Sequence, residues 1–435
     1  MEPISRPTLF LLHALGMSGR EWELVMERLG ETFDCIALDL PGFGGAADNP
    51  RRTVEEMADW LADAIRSRNP ANWMIAGHSM GGKLATLVAA RARDGEHGLS
   101  GLVGVVLVAA SPPAPEPIDE ARRAEMIEWW RGGPIQSENA AKFVDANTAA
   151  KLDGPLRDQA IAVVCRSAPD AWIAWLERGS REDWTEFAGQ IAVPALIVAG
   201  AQDGDLGVEA QHRLNAPHYT DHRVETVAGA AHLIPYEQPA ALAHAIEAHW
   251  HRCAPRALPD AFARTLASER VSRRTRAAML ARISPPTDQC FDQDQRKTLA
   301  ALVECVLPGA GGDMPVRIEA ALANGESDGW RFADLPPDIT AWRQSLDALS
   351  GFADLATDKR QARLEAIAQG DDRALSRWFE DMRAEAVRIW LSLPHTMARI
   401  GWDGFANGGD GIRKEGYHLT AADVLEPWQP RVRAS

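Results

Sequence analysis

The sequence predicts an α/β protein whose doubly wound, mostly parallel sheet carries a helical cap and is followed by a mainly α-helical domain. Three observations support this prediction. Short apolar runs alternate with helical patterns over residues 1–252, which is typical of βαβ units. A tryptophan-rich helical stretch at 112–190 interrupts the alternation. Helical patterns without strand-like runs then follow, up to a tail at 394–430 that is rich in Gly and aromatic residues and is predicted to be an ordered loop.

Six β-rich runs supply the strands of the predicted sheet. Most of them are continuously apolar rather than alternating, which is typical of parallel strands covered on both faces. The runs lie at 8–14, 35–40, 72–78, 104–110, 195–200 and 222–228. The helical patterns of this part of the chain lie at 18–30, 53–68, 80–93 and 237–251.

The chain is predicted to divide into an α/β domain, a connecting region and a helical domain. The α/β domain covers 1–252, and its insertion at 112–190 is interpreted as a helical cap over one edge of the sheet. Residues 253–289 are predicted to form a linker and a basic helix, the helix at 260–283. Residues 290–435 are predicted to form the helical domain.

The composition limits the classes of partner. Acidic residues outnumber basic ones, with a formal net charge of −15, and most of the excess lies before residue 256. Nucleic acid binding needs a basic face, so no nucleic acid partner is expected. No uncharged apolar run reaches the roughly 18 residues that cross a membrane, so no membrane span is expected.

Cysteine usage and the N-terminus bear on the cellular compartment. The cysteines are odd in number and scattered, without a CxxC pair, so neither a zinc site nor a disulfide framework is expected. They are Cys35, Cys165, Cys253, Cys290 and Cys305. The N-terminus lacks the pattern of a signal peptide. A reducing, cytoplasmic location is therefore predicted.

A serine flanked by glycines follows the third predicted strand, in the segment AGHSMGGK. A serine hydroxyl is a good nucleophile only with a base in reach, a group that orients the base, and donors for the oxyanion. The G-x-S-x-G pattern indicates such a serine when a sharp turn between a strand and a helix exposes Oγ at the sheet's carboxyl edge. Ser79 has that context and is the candidate nucleophile, whereas His78 is interpreted as structural.

The acid and the histidine should follow the serine in that order along the chain. Asp203 comes just after the predicted strand ALIVAG, at the sheet edge that also holds the serine, and Asp205 stays open as an alternative. The preceding strand, GVVLVAA, runs into Ser-Pro-Pro and offers no acid. His232 follows the last predicted strand and precedes the helix at 237–251, so it is the candidate base.

The oxyanion should meet two backbone N–H groups, one after the nucleophile and one in the loop after the first strand. These positions are Met80 and Leu15. Substrate selection is expected from the cap, where tryptophans can line an apolar acyl pocket. The candidate pocket residues are Trp22, just beyond the oxyanion loop, and Trp129, Trp130 and Trp172 in the cap.

These segments resemble the α/β-hydrolase superfamily. The matching stretches are FLLHALGMSGREW, ALDLPGFGGA, AGHSMGGK, VPALIVAGAQD and VAGAAHLIPYEQP, in order over residues 8–250. An alanine follows His13 where the family usually has glycine. The resemblance implies acyl transfer by a triad of Ser79, His232 and Asp203, with Met80 and Leu15 as oxyanion donors.

The C-terminal region is similar to another family. The segment LPHTMARIGWDGF at 393–405 and the later Glu-Pro-Trp at 426–428 resemble the small subunit, often called subunit 3, of membrane-associated gluconate 2-dehydrogenase. The likeness covers about 290–430, with Leu-Pro-His where that family has His-Pro. It implies a cofactor-free helical module that accompanies a large FAD-dependent subunit. Three residues are interpreted as cap and turn residues rather than metal ligands: His395, Asp403 and Asp410.

Together these features predict a serine hydrolase for a carboxylic ester or lactone whose C-terminal module docks a flavin-dependent dehydrogenase. Two alternatives stay open. One is a non-catalytic accessory or assembly protein of an FAD-dependent sugar or alcohol dehydrogenase. The other is a carbon–carbon bond hydrolase or cofactor-free peroxidase of the same fold. No cofactor and no metal are expected, because dinucleotide-binding, haem-attachment and cysteine-cluster motifs are missing from the sequence.

Overall fold

The protein divides into two compact units. The computed structural model describes residues 6–326, 335–370, 372–402 and 405. Residues 6–281 and 405 belong to the first unit, and residues 282–402 belong to the second.

The first unit is built on a sheet of six parallel strands in the order β2-β1-β3-β4-β5-β6. This confirms the predicted α/β class. The strands are β1 Thr8–Leu12, β2 Asp34–Leu38, β3 Trp73–His78, β4 Leu102–Val108, β5 Ala195–Gly200 and β6 His222–Val227. β4 ends before residue 110, because Ala109 takes a φ of +40°, outside the β region.

Helices surround the sheet. α1 to α3 are Glu23–Leu29, Val54–Arg68 and Met80–Arg93. Between β4 and β5 lie α4 Glu120–Glu128, α5 Ser137–Ala146, α6 Gly154–Val164, α7 Pro169–Ala174 and α8 Thr185–Ala188, with a π-helical turn at Trp175–Gly179. α9 to α13 are Val208–Leu214, Ile234–Glu237, Pro239–Cys253, Asp260–Ala267 and Arg273–Ala281. Short 3-10 turns are Gly19–Trp22, Gly44–Ala46, Ala216–His218 and Ala254–Arg256.

Alternate residues of the strands enter two separate apolar cores. Phe10 and Leu12 of β1 pack in the core that also holds α2 and α3. Leu9 and Leu11 of the same strand pack in the core that holds α1 and α11. Because both faces of the sheet are covered, both sets of side chains must be apolar, which explains the continuous apolar runs in the sequence.

The predicted basic helix at 260–283 forms two helices, α12 and α13, rather than one. The guanidinium of Arg276 is buried and donates to the carbonyl oxygens of Leu266, Ser268 and Val271. These carbonyls lie at the end of α12 and in the turn that follows, where helix carbonyls have no intrahelical partner. Arg276 thereby stabilises the break, and its bond to the carbonyl of Gly95 ties α13 to the end of α3.

In the described residues of the second unit, every regular element is a helix or a 3-10 turn. Its helices are α14 Gln293–Val306, α15 Met314–Ala323, α16 Asp338–Ala348, α17 Thr357–Gln369, α18 Arg373–Leu391 and α19 Pro394–Arg399, with a 3-10 turn at Phe352–Asp354. They surround an apolar core in which Trp342 meets Trp378 edge to face at 5.5 Å. The mainly α-helical C-terminal region is therefore confirmed. Among all the helices described, none is long and apolar enough to cross a membrane.

Candidate active site

Ser79 lies at a sharp turn between β3 and α3. Its φ of 48° and ψ of −117° are unfavourable for a residue with a side chain and cost about 1–3 kcal/mol. The surrounding glycines make the turn possible, because a Cβ on Gly77 would lie 2.3 Å from the carbonyl oxygen of Gly81. A Cβ on Gly82 would lie 2.3 Å from the Cβ of Ala110. This is the turn that G-x-S-x-G predicts, and Ser79 lines a cavity beside it.

His232 and Asp203 form a hydrogen-bonded pair in the loops after β6 and β5. The distance between His232 Nδ1 and Asp203 Oδ2 is 2.8 Å. The other oxygen of Asp203 accepts the backbone N–H groups of Asp205 and Leu206 at 3.2 and 3.1 Å. Asp205 pairs instead with Arg122, at 2.6 Å. Of the two candidate acids, the structure therefore brings Asp203 against the histidine.

The loop that carries His232 is fixed by the cap. The backbone N–H groups of His232 and Leu233 both donate to the carbonyl oxygen of Asn147, at 3.1 and 3.0 Å. Asn147 follows α5, so the cap helps to place the histidine ring. Ser79, Asp203 and His232 all line one cavity, whose walls also include cap residues. No hydrogen bond joins Ser79 to His232 within the described chain, and such bonds often form only once substrate is bound.

In the pair of His232 and Asp203, each residue shifts the pKa of the other towards its charged form. Burial alone would lower the pKa of His232, but the Asp203 carboxylate outweighs it and leaves the pKa raised above its ordinary value. Burial likewise pushes the pKa of Asp203 upward, but His232 and the backbone N–H groups outweigh it and leave the pKa lowered. Asp203 is thus a stable carboxylate that favours a proton on the imidazole.

These shifts predict a pH dependence. A general base must be neutral, so kcat/KM should rise with pH through a pKa above the ordinary histidine value of about 6.5. Asp203→Asn removes the charge that raises the pKa of His232, so the rise of kcat/KM should move to lower pH.

The Asp203→Asn change should also lower kcat by about 10⁴-fold, because the imidazole loses its orienting acceptor. Asp205→Asn is the matched variant, and a loss as large as that of Asp203→Asn would assign the acid to Asp205 instead.

The predicted oxyanion donors lie at the start of α3 and in the loop after β1. Met80 is the first residue of α3, where a backbone N–H has no partner within the helix. Leu15 lies in the loop after β1 and lines the cavity with Ala14. Trp172 packs beneath this loop, since a Cβ on Gly16 would come within 2.4 Å of its ring.

His13 holds the oxyanion loop against the following strand. Its Nε2 accepts the backbone N–H of Leu40 at 2.9 Å, so the proton of the neutral ring lies on Nδ1. That Nδ1 is 2.8 Å from the carbonyl oxygen of Ala14, to which it donates. Burial lowers the pKa of His13, which favours this neutral form. Ala14, which stands where the family usually has glycine, is thus accommodated by two hydrogen bonds, the second from its N–H to Glu21 at 3.2 Å.

The sequence reasoning missed a buried pair, Glu21 and His78, behind the site. The sequence predicts a structural role for His78, and its Nε2 donates to the carbonyl oxygen of His232 at 2.8 Å. Its Nδ1 is 3.1 Å from Glu21 Oε1, the oxygen that also accepts the N–H of Ala14. Glu21 and His78 therefore connect the oxyanion loop to the loop of the base.

The four predicted pocket tryptophans are not among the described residues that line this cavity. Trp22 is fully buried and packs edge to face on His78. Trp130 and Trp172 pack on each other within the cap, and Trp129 lies beneath the Lys142 ammonium. A fifth tryptophan, Trp175, lines the cavity.

The C-terminal residues interpreted as cap and turn residues are only partly described. His395 lies in α19, while Asp403, Asp410 and the Glu-Pro-Trp at 426–428 lie outside the described residues. Within those that are described, no group of three or more His, Cys, Asp or Glu side chains could hold a metal ion.

A serine at a strained strand–helix turn, together with a histidine–carboxylate pair at the same edge of a parallel sheet, defines the class of α/β hydrolases. The chain belongs to the alpha/beta hydrolase family, whose family model matches residues 9–245. The C-terminal unit lies outside this match.

Named relatives match the same part of the chain. It is 26% identical over 249 residues to the biotin biosynthesis bifunctional protein BioHC of Cellvibrio japonicus. This match covers 56% of this chain and 47% of that protein. The chain thus spans about half the length of that relative. It is 27% identical to a 2-succinyl-6-hydroxy-2,4-cyclohexadiene-1-carboxylate synthase of an Enterobacter species, over 54% of this chain and 89% of that protein. It is 28% identical to a pimeloyl-(acyl-carrier protein) methyl ester esterase of Vibrio vulnificus, over 48% and 80%.

Solved structures share the fold of the first unit. An esterase from Exiguobacterium antarcticum superposes with a TM-score of 0.50 at 19% identity, over 56% of this chain and 91% of that one. A bromoperoxidase from Bacillus anthracis superposes with a TM-score of 0.51 at 19% identity, over 57% and 92%. At such identities the likeness concerns the fold alone.

Proposed function

We propose that the protein is a serine hydrolase that cleaves a carboxylic ester or lactone, with Ser79 as nucleophile, His232 as base and Asp203 as acid. The observation that carries this proposal is the 2.8 Å bond between His232 Nδ1 and Asp203 Oδ2, beside a cavity that Ser79 also lines. The relative named as a methyl ester esterase supports an ester as the substrate class.

In the proposed reaction Ser79 Oγ forms a bond to the acyl carbon while His232 Nε2 takes the hydroxyl proton. The N–H groups of Met80 and Leu15 stabilise the oxyanion, which collapses as the bond to the leaving oxygen breaks. His232 gives its proton to that oxygen. Water then attacks the acyl-enzyme by the same route and releases the acid, while Asp203 orients His232 and stabilises the imidazolium.

A panel of p-nitrophenyl esters of increasing chain length and of lactones tests this function. At least one member should be hydrolysed with a kcat/KM of about 10⁴ M⁻¹s⁻¹ or more, and prior treatment with a fluorophosphonate should abolish the activity. The relative named as a synthase shows that this fold also serves another reaction. Cleavage of carbon–carbon bonds or peroxide-dependent bromination, without turnover of any ester or lactone, would favour the alternative.

We further propose that the helical unit docks a flavin-dependent dehydrogenase. The support is the similarity of residues 393–405 to the dehydrogenase small subunit, where Ile400 and Trp402 remain 54% and 41% exposed. The tagged full chain should co-purify a protein with flavin absorbance, and Ile400→Asp should release it. Deletion of the protein can be complemented with the Ser79→Ala variant as a test of its role. If deletion abolishes the dehydrogenase activity and the Ser79→Ala variant restores it, an accessory role without catalysis is favoured.

A further inference from the structure

A carboxyl group that the proposed mechanism does not use lies in the wall of the cavity. Glu116 belongs to the segment between β4 and α4, beyond the Ser-Pro-Pro that offers no acid, and lines the cavity with Ser79 and His232. Its N–H donates to the carbonyl oxygen of Ser180 at 2.8 Å, and its own carbonyl accepts the N–H of Ile118 at 2.8 Å. The residue is 9% exposed. Its backbone is therefore fixed at the cavity wall.

The Glu116 carboxyl is only partly satisfied by its neighbours, of which the Ser111 hydroxyl is the side chain that hydrogen-bonds to it. Its Oε1 is buried and makes no hydrogen bond within the described part of the chain. Buried polar atoms in proteins nearly always have a partner, and an exception calls for an explanation. Burial also raises the pKa of Glu116, an effect that the Lys83 ammonium only partly offsets.

The cations near Glu116 direct their hydrogen bonds elsewhere. Lys83 Nζ donates to the carbonyl oxygens of Gly179 and Glu182, both at 3.0 Å. Arg123 donates to the carbonyl oxygen of Leu176 at 2.6 Å, and Arg122 pairs with Asp205. Within the described chain these cations thus leave Oε1 of Glu116 without a hydrogen bond, in a residue that lines the same cavity as Ser79.

We propose that Glu116 binds a hydroxyl group of the substrate, so that hydroxylated esters or lactones are preferred over their unsubstituted analogues. A hydroxyl both donates and accepts, so it matches the carboxyl in either protonation state. An analogue without the hydroxyl leaves the buried carboxyl unpaired, which is how such sites discriminate. This inference rests on the proposed hydrolase function.

The test compares substrates in pairs, p-nitrophenyl 3-hydroxybutyrate with the butyrate and hydroxylated γ-butyrolactones with γ-butyrolactone. In the wild type, kcat/KM should be at least about tenfold higher for the hydroxylated member of one pair. Glu116→Leu should bring this ratio to about one, whereas Glu116→Gln, which keeps a donor and an acceptor, should retain most of it. Glu128→Gln is the matched control, since 67% of that cap side chain is exposed, and should leave the ratio as it is.

A wild-type enzyme without preference for any hydroxylated substrate would overturn this inference, as would an equal ratio in wild type and Glu116→Leu. A preference for amino-substituted over hydroxylated esters would also overturn it. Failure of the proposed function looks different, because neither member of any pair would then be cleaved. If Glu116→Leu does not fold, competitive inhibition of wild-type ester hydrolysis decides. The hydroxylated lactone should inhibit at least about tenfold more tightly than its analogue, and equal inhibition contradicts the role of Glu116.

Discussion

Ser79→Ala is expected to lower kcat by about 10⁴- to 10⁶-fold, and His232→Ala by a similar factor. Each change removes a part of one unit, because the hydroxyl attacks only when the imidazole takes its proton. The double variant should therefore be about as active as either single variant, rather than showing the product of the two losses. Steady-state hydrolysis of the best ester or lactone measures kcat for the two single variants and the double variant.

Ser100→Ala is the matched control for this prediction. Ser100 is a buried serine with an unpartnered hydroxyl, but it lies just before β4, at the edge of the sheet opposite to Ser79. Its removal should leave kcat within about twofold, since it touches none of the reacting groups. If Ser79→Ala retained the wild-type kcat, or if the losses in the double variant multiplied, the two residues would not act as nucleophile and base.

Glu21→Ala is expected to lower the free energy of unfolding of the first unit by about 3–5 kcal/mol. Glu21 and His78 are both fully buried, and Glu21 Oε1 lies 3.1 Å from His78 Nδ1. Removing the carboxyl leaves the Nδ1 of His78 and the N–H of Ala14 without partners, and unpaired buried groups are costly. Urea unfolding, followed by the fluorescence of tryptophans such as Trp22, measures the change.

Two further variants separate the buried pair from a general effect of lost charge. Glu23→Ala removes a neighbouring carboxylate whose ion pair with Arg20 is about half exposed, and it should cost no more than about 1 kcal/mol. Glu21→Gln keeps an acceptor for Ala14 and should lie between the two. Equal losses for Glu21→Ala and Glu23→Ala would show that the buried pair does not hold these loops.

The sheet and the turn at Ser79 could be predicted because their causes are local. Parallel strands covered on both faces must be apolar at every position, and the six runs show this. The glycines around Ser79 indicate the turn, since no larger residue fits where strand and helix approach each other. Asp203 and His232 follow from the order of the strands. The choice between Asp203 and Asp205 does not follow from the strand order. It depends on Arg122 of the cap, which pairs with Asp205.

The remaining site residues depend on packing between segments that are distant in sequence. Glu21 meets His78 only once the 3-10 turn before α1 packs on the end of β3. Glu116 reaches the cavity because its backbone bonds to Ser180, after the π-helical turn. The tryptophans have no local signal for which of them faces the cavity, so Trp175 could not be distinguished from Trp172. The contacts of Glu116 and of the tryptophans need the fold of the cap, which residue periodicity alone does not give.

The most direct test of the central claim is mass spectrometry of the protein after reaction with a fluorophosphonate. We expect one covalent adduct, located on the peptide that contains Ser79, which disappears in Ser79→Ala and persists in Ser100→Ala. We also expect slower labelling in His232→Ala, since the base activates the hydroxyl. An unlabelled wild-type protein that still hydrolyses esters, or an adduct on another residue, would contradict Ser79 as the nucleophile.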